Sequence, residues 1–137
     1  MARILIAEDD ENVRQFVARA LVHAGHEITE AEDGGLAAEI LQEKQGAFDL
    51  LLSDIKMPVM DGIALALNVA AAWPELTIVL MTGFADQRER AHGLETLIYD
   101  VIPKPFTLQT LMEKVSDALE GRPVEVVSLA RQAINGH

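Results

Sequence analysis

The stretch LLSDIKMPVMDG, residues 51–62, joins an apolar run directly to a carboxylate and then to a turn. The run begins at Leu50 and shows no alternation of apolar and polar residues, which is typical of a short strand buried on both faces. The Asp-Gly pair that ends the stretch is a turn signal. A helix is predicted from Ile63 to Trp73, ended by Pro74. The stretch therefore predicts a strand, a loop and a helix, with Asp54 at the carboxyl end of the strand.

The same order of strand and helix recurs along the chain. The predicted strands span Arg3–Ala7, Glu27–Ala31, Leu50–Ser53, Leu76–Met81 and Leu97–Ile102. The predicted helices span residues 13–21, 36–43, 63–73, 85–95 and 108–119. The first helix would bury one face, which is formed by Val13, Phe16, Val17, Ala20 and Leu21.

This alternation is typical of a parallel sheet with helices on both of its faces. Right-handed crossovers around a central first strand give five strands in the order 2-1-3-4-5. We therefore predict a doubly wound α/β fold for a single domain over residues 1–121, since 137 residues suffice for one ordinary core.

Composition excludes several classes of function. The chain carries 22 acidic and 11 basic residues, which argues against nucleic-acid binding because phosphate contacts need a cationic face. It has no cysteine, so disulfides and thiolate metal sites are excluded. No apolar run approaches the ~20 residues of a membrane span, and the apolar start is too short for a signal peptide. We expect a cytoplasmic protein without membrane contact.

Residues 122–137 follow the last predicted helix and begin with Arg-Pro. Val127, Ala130 and Ile134 would lie together in a short helix. The segment is too short for an output domain, so we expect none. We interpret it as a frayed end in preference to a docking helix.

Polar residues follow four of the predicted strands, at the point where each strand ends. They are Glu8-Asp9-Asp10, Asp54, Thr82-Gly83 and Lys104-Pro105. In an open parallel sheet these ends lie along one edge, where ligands bind. Carboxylates from neighbouring strands raise each other's pKa unless a cation separates them. Mg²⁺ prefers such carboxylates together with phosphate oxygens, and no histidine follows these strands to favour zinc or iron.

This edge predicts phosphoryl transfer to a carboxylate. A carboxylate beside Mg²⁺ can itself be the nucleophile and form an aspartyl phosphate. Asp54 needs no helper base because it is ionised at neutral pH. Lys104 offers a positive charge and Thr82 a hydroxyl donor, while Gly83 leaves room for a backbone N–H to approach oxygen.

These motifs, in this order, resemble those of receiver domains of two-component response regulators, over residues 3 to about 120. The resemblance implies a flavodoxin-like fold in which Asp54 is the phosphoacceptor. It implies that Mg²⁺ is bound by Asp9, Asp54 and the main-chain carbonyl of Lys56, with Glu8 acting through water. It also implies that Thr82 and Lys104 contact the phosphoryl group and that the Lys104–Pro105 peptide bond is cis.

The same resemblance implies the partners. A histidine kinase or a histidine phosphotransfer protein would supply the phosphoryl group. A target protein would bind the face of the fourth helix, fifth strand and fifth helix. The chain would be a stand-alone receiver that takes part in its own phosphoryl transfer and dephosphorylation, and not a turnover enzyme.

One position departs from the family pattern, and two others bear on the lifetime of the phosphorylated state. Val101 stands where receivers often carry a switching aromatic residue, and Tyr99 lies two residues before it. The resemblance implies that Phe84 and Lys56 flank the place from which water would attack a phosphorylated Asp54. We expect both side chains to obstruct that water and to prolong the phosphorylated state.

Two other classes of function stay open at this point. The chain could be an adaptor that binds its partner with or without phosphate. It could also be an enzyme on the same architecture. A flavin protein would carry a Ser/Thr/Gly-rich loop after the first strand, where this chain has Glu-Asp-Asp-Glu, and an aspartate-nucleophile phosphatase would carry an acid in place of Lys56.

Overall fold

The computed structural model describes residues 1–83, 93–94 and 96–121. The side chain of Phe84, most of the predicted helix 85–95 and all of segment 122–137 lie outside the described residues. Within them, five parallel strands form one sheet in the order β2-β1-β3-β4-β5. The strands are β1 (Arg3–Ala7), β2 (Glu27–Ala31), β3 (Leu50–Asp54), β4 (Thr77–Thr82) and β5 (Asp100–Pro103). The predicted fold class and strand order are confirmed.

The described residues also contain four helices. They are α1 (Glu11–His23), α2 (Gly34–Glu43), α3 (Gly62–Ala72) and α4 (Leu108–Glu120), which is the fifth helix of the sequence prediction. Each helix has an N-cap residue whose side-chain oxygen accepts a backbone N–H of the first turn. The N-caps of α1 to α4 are, in order, Asp10, Asp33, Asp61 and Thr107. None of the helices in this part of the chain is long and apolar enough to cross a bilayer.

Both faces of the sheet are covered. Leu5 and Leu51 point into a core shared with α2 and α3, while Ile4 and Leu52 point into a second core shared with α1 and α4. Successive residues of a strand point to opposite faces, so a strand between two cores must be apolar throughout. This explains the unbroken apolar run of β3, each residue of which is buried.

Two details of the sequence prediction are wrong. The fifth strand begins at Asp100 and not at Leu97, because the amides of Leu97 and Ile98 donate to the carbonyl of Leu94 and close a turn. Phe16 was expected on the buried face of α1, but it is 44% exposed. Its ring instead lies 6.4 Å from the ring of Phe106, because α1 packs through a narrower stripe centred on Val17 and Leu21.

Val59, in the loop between β3 and α3, has a φ of 70° and is 86% exposed. A β-branched residue in this left-handed region is strained. We expect Val59→Gly to raise the free energy of unfolding by about 1 kcal/mol, since relief of strain exceeds the entropy that glycine adds to the unfolded chain. Urea unfolding of both proteins measures the difference. Val22→Gly, at an exposed valine within α1, should lower stability instead, and a loss of stability in both variants would contradict the assignment of strain.

Candidate functional site

The predicted acidic residues meet at the carboxyl edge of the sheet. Glu8 follows β1, and Asp54 ends the neighbouring strand β3. Glu8, Asp9 and Asp54 each place one carboxylate oxygen within 4.8 Å of the other two. Glu8 and Asp54 are buried, whereas Asp9 is exposed. The edge therefore holds three acids at separations at which they repel strongly.

Lys104 follows the edge strand β5 and extends its side chain along the carboxyl edge to this cluster. Its Nζ lies 2.5 Å from Oε1 of Glu8 and 3.3 Å from Oδ1 of Asp54. Its amide donates to the carbonyl of Thr82 at 2.7 Å, and the Lys104–Pro105 peptide bond is cis, as expected. The ammonium group therefore bridges acids that come from two different strands.

The main chain around Asp54 is held by close backbone contacts. Its Oδ1 accepts the amide of Ile55 at 2.9 Å. The amide of Gly62 donates to the carbonyl of Ile55 at 2.7 Å, which brings the start of α3 back against the end of β3. A Cβ on Gly62 would overlap the carbonyl oxygen of Asp54. The Asp-Gly pair of the opening stretch is thus a helix start that must pass beside the acid.

The remaining predicted residues lie near the same edge. Thr82 is buried at the end of β4, and Gly83 follows it at the surface. A Cβ on Gly83 would meet no atom of the described residues within 4 Å, so packing against them does not require glycine there. The Lys56 side chain is exposed. The structure thus brings Glu8, Asp9, Asp54 and Lys104 into contact range, and it leaves the ligand roles of Lys56 and Gly83 as predictions.

Arg14 was not among the predicted site residues. Its guanidinium donates to the main-chain carbonyl of Glu8 at 2.8 Å and pairs with Glu30 at 3.4 Å. The amide of Glu8 donates to the carbonyl of Ala31. These contacts fix the backbone of Glu8 from α1 and from β2. A basic residue on the first turns of a helix after an acidic strand end is too common a pattern to have indicated this role.

The pKa of Glu8 is raised from 4.5 to about 8, first by burial and then by the hydrogen bond and negative charge of Asp54, which together outweigh the lowering effect of Lys104. Burial alone would lower the pKa of Lys104, but its hydrogen bond to Glu8 and the charge of Asp54 outweigh burial and raise that pKa. Lys104 is therefore cationic at neutral pH. Its single positive charge does not balance the three acids of the cluster.

The donor set of this edge fits a hard divalent cation. All three acids offer oxygen, which Mg²⁺ prefers, and they converge on one point. When Glu8 is ionised, its buried Oε2 has no hydrogen-bond donor among the described residues. A buried carboxylate oxygen without a partner is costly. A bound cation and its water shell would remove that cost.

The raised pKa of Glu8 makes a prediction about stability. Between about pH 5 and 8 the folded protein holds a proton on Glu8 that the unfolded chain has lost, so this stabilisation is complete below the unfolded pKa and is lost as the pH rises through about 8. In EDTA we expect the free energy of unfolding to fall with pH over this window, more steeply than in Glu8→Gln, which has no proton to lose.

Urea unfolding at a series of pH values measures both slopes. Excess Mg²⁺ should flatten the wild-type curve, because a cation favours the ionised carboxylate. Equal slopes in the wild type and Glu8→Gln would show that Glu8 does not carry the effect.

The comparisons with known proteins agree with this geometry. The model of the response regulator receiver domain family matches residues 4–116. The chain is 41% identical over 119 residues to the response regulator receiver protein CpdR of Brucella abortus (strain 2308), covering 87% of this chain and 98% of that protein. It is 33% identical over 119 residues to the sensor kinase CckA of the same strain, covering 87% of this chain and 13% of the kinase.

A solved structure gives the same result for the fold. The response regulator protein TrrA of Thermotoga maritima, in complex with Mg²⁺–BeF, superimposes with a TM-score of 0.75 at 29% identity, and the match covers 86% of this chain and 99% of that one. Receiver domains are signalling domains and not classical enzymes. By its sequence, its strand order and its cluster of strand-end acids, the chain belongs to the response regulator receiver domain family of two-component systems.

Proposed function

We propose that the Asp54 carboxylate accepts a phosphoryl group, in a reaction that requires Mg²⁺, from the phosphohistidine of a histidine kinase or a histidine phosphotransfer protein. The observation that carries this proposal is the convergence of Glu8, Asp9, Asp54 and Lys104 from separate strands at one edge of the sheet. The Mg²⁺–BeF complex of TrrA supports it, because that protein shares the fold and 29% of its sequence with this chain.

The chemistry follows from the residues present. An oxygen of Asp54 forms a bond to phosphorus while the bond from phosphorus to the donor imidazole nitrogen breaks, and the electron pair stays on that nitrogen. Asp9, Asp54 and the main-chain carbonyl of Lys56 would hold Mg²⁺, with Glu8 acting through water, and the bound ion would neutralise charge on the phosphoryl oxygens. Lys104 pairs with a phosphoryl oxygen in place of its present carboxylate partners.

Lys104 and Thr82 then convert the new group into a change of shape. The ammonium of Lys104 is shared between Glu8 and Asp54 before the reaction, so a phosphoryl group on Asp54 redistributes its contacts. Thr82 donates its hydroxyl to another phosphoryl oxygen. Both residues adjoin strand ends, and they couple the site to the loops that follow β4 and β5.

The output surface is proposed to be the face formed by residues 85–95, β5 and α4. Of these, β5 and α4 are tied together by Lys114 and Asp100, whose Nζ and Oδ2 lie 3.0 Å apart. A target protein would bind this face more tightly in one phosphorylation state than in the other. We propose a cytoplasmic location for the chain, because the kinase and the target of such a receiver would act there.

Acetyl phosphate tests the acceptor directly. With Mg²⁺, intact-mass spectrometry is expected to show one added phosphoryl group, which chelation of the metal prevents. Borohydride reduces an aspartyl phosphate to homoserine, so peptide mapping should find homoserine at position 54. No adduct in the presence of Mg²⁺, or an adduct on another residue, would refute the proposal.

Partner capture tests the switch. Pull-downs with and without beryllofluoride, a phosphoryl mimic, are expected to retain different amounts of the target. Equal retention would favour the adaptor that binds irrespective of phosphate.

A further inference from the structure

A cavity of about 940 Å³ opens at the amino edge of the sheet, the edge opposite Asp54. It lies between the loops that precede β3 and β4, the start of the chain and the last turn of α4. Its apolar lining includes Met1, Phe48, Trp73, Leu76 and Leu119. Nothing in the proposed phosphoryl transfer uses this cavity.

The wall of the cavity is built around Trp73. A Cβ on Gly46, which has a φ of 69°, would overlap the indole ring, so the backbone of the loop before β3 lies directly against it. The lining also includes Asp49, Glu75 and Glu120, which are exposed. The cavity thus offers an apolar wall with an acidic rim.

Residues 122–137 begin beside this cavity. Glu120 lines it and is the last residue of α4, and Gly121 caps the helix. Even three extended residues span about 10 Å, so the segment needs no long linker to reach the wall. Val127, Ala130 and Ile134 have the spacing of one helical face.

The charge of the segment complements the rim. The whole chain carries 22 acidic and 11 basic residues. The segment holds Arg122 and Arg131 but only one acid, Glu125. It is therefore net basic next to a chain that is otherwise strongly acidic, and opposite charges favour its approach.

We propose that residues 122–137 dock in this cavity of their own chain, with the apolar face of Val127, Ala130 and Ile134 against Trp73 and the arginines at the acidic rim. A small polar ligand fits less well, because the one buried side-chain oxygen without a partner among the described residues is Oε2 of Glu8, at the other edge. This docking segment is independent of the phosphoryl transfer at Asp54.

Trp73 is the single tryptophan of the sequence, so its fluorescence reports on the cavity alone. In the full chain we expect Val127→Asp and Ile134→Asp to shift its emission to longer wavelength and to increase its quenching by acrylamide, because a charge on the apolar face disfavours burial. The matched control is Ser128→Asp, which adds the same charge next to Val127 but off that face. We expect it to resemble the wild type.

Cavity and segment should also be coupled. Ala72 is exposed and lines the cavity, so the longer polar side chain of Ala72→Gln should obstruct docking and leave Trp73 open to acrylamide even with the segment intact. Unchanged quenching in both segment variants would overturn the proposal, as would an equal change in Ser128→Asp. Quenching that depends on protein concentration would show docking between two copies and would overturn docking within one chain.

Discussion

Asp54→Asn is expected to take up no phosphoryl group from acetyl phosphate, whereas Asp33→Asn takes it up as the wild type does. The amide is not an anion and is a poor nucleophile, so the reaction loses its acceptor and not merely part of its rate. Asp33 is a suitable control because it caps α2, where asparagine caps about as well as aspartate.

The same variant should be more stable than the wild type in EDTA. Asp54 raises the pKa of Glu8 by its hydrogen bond and its charge, and Asp54→Asn removes the charge while Lys104 keeps its contact with Glu8. Intact-mass spectrometry and urea unfolding on one preparation measure both effects. Phosphoryl uptake by Asp54→Asn would show that another residue is the acceptor, and loss of stability in EDTA would show that the acids do not repel as the geometry indicates.

Gly62→Ala is expected to lower the free energy of unfolding by about 3 kcal/mol, at the upper end of overpacking costs. The added Cβ would overlap the carbonyl oxygen of Asp54, which is backbone and cannot rotate away. Either α3 moves off β3, which breaks the Gly62 amide bond to Ile55, or Asp54 is displaced. Phosphoryl uptake should therefore slow as well.

The control for this variant is Gly93→Ala, because a Cβ on Gly93 would meet no atom within 4 Å in the part of the chain that the structure describes. Urea unfolding of both variants isolates the steric effect from the general cost of replacing glycine. Equal stability of the two variants would contradict the prediction, because it would show that the close approach of α3 to Asp54 does not constrain the loop between β3 and α3.

Most of the fold could be predicted because its signals are local. Leu50 to Leu52 form an unbroken apolar run, which is typical of a strand between two cores, and Asp10 caps α1 directly after the acids that follow β1. The candidate site could be predicted for the same reason, since parallel strands bring their carboxyl ends to one edge whatever the loops contain.

The features that could not be predicted depend on contacts between distant residues. The sequence around Leu97 predicts a strand, but the amide of Leu97 donates to the carbonyl of Leu94 and forms a turn instead. Phe16 has the spacing of a core residue, yet its ring packs near that of Phe106. A contact between residues so far apart in sequence cannot be predicted from a local pattern. The left-handed backbone of Val59 contradicts its own propensity and is imposed by the loop around it.

The contact between Lys104 and Glu8 joins residues 96 positions apart. A ribosome therefore releases the acids long before the lysine that neutralises them, and the outermost strand must add to the sheet before the site is whole. A truncated copy that lacks Lys104 would leave the buried side chains of Glu8 and Asp54 without their ammonium partner.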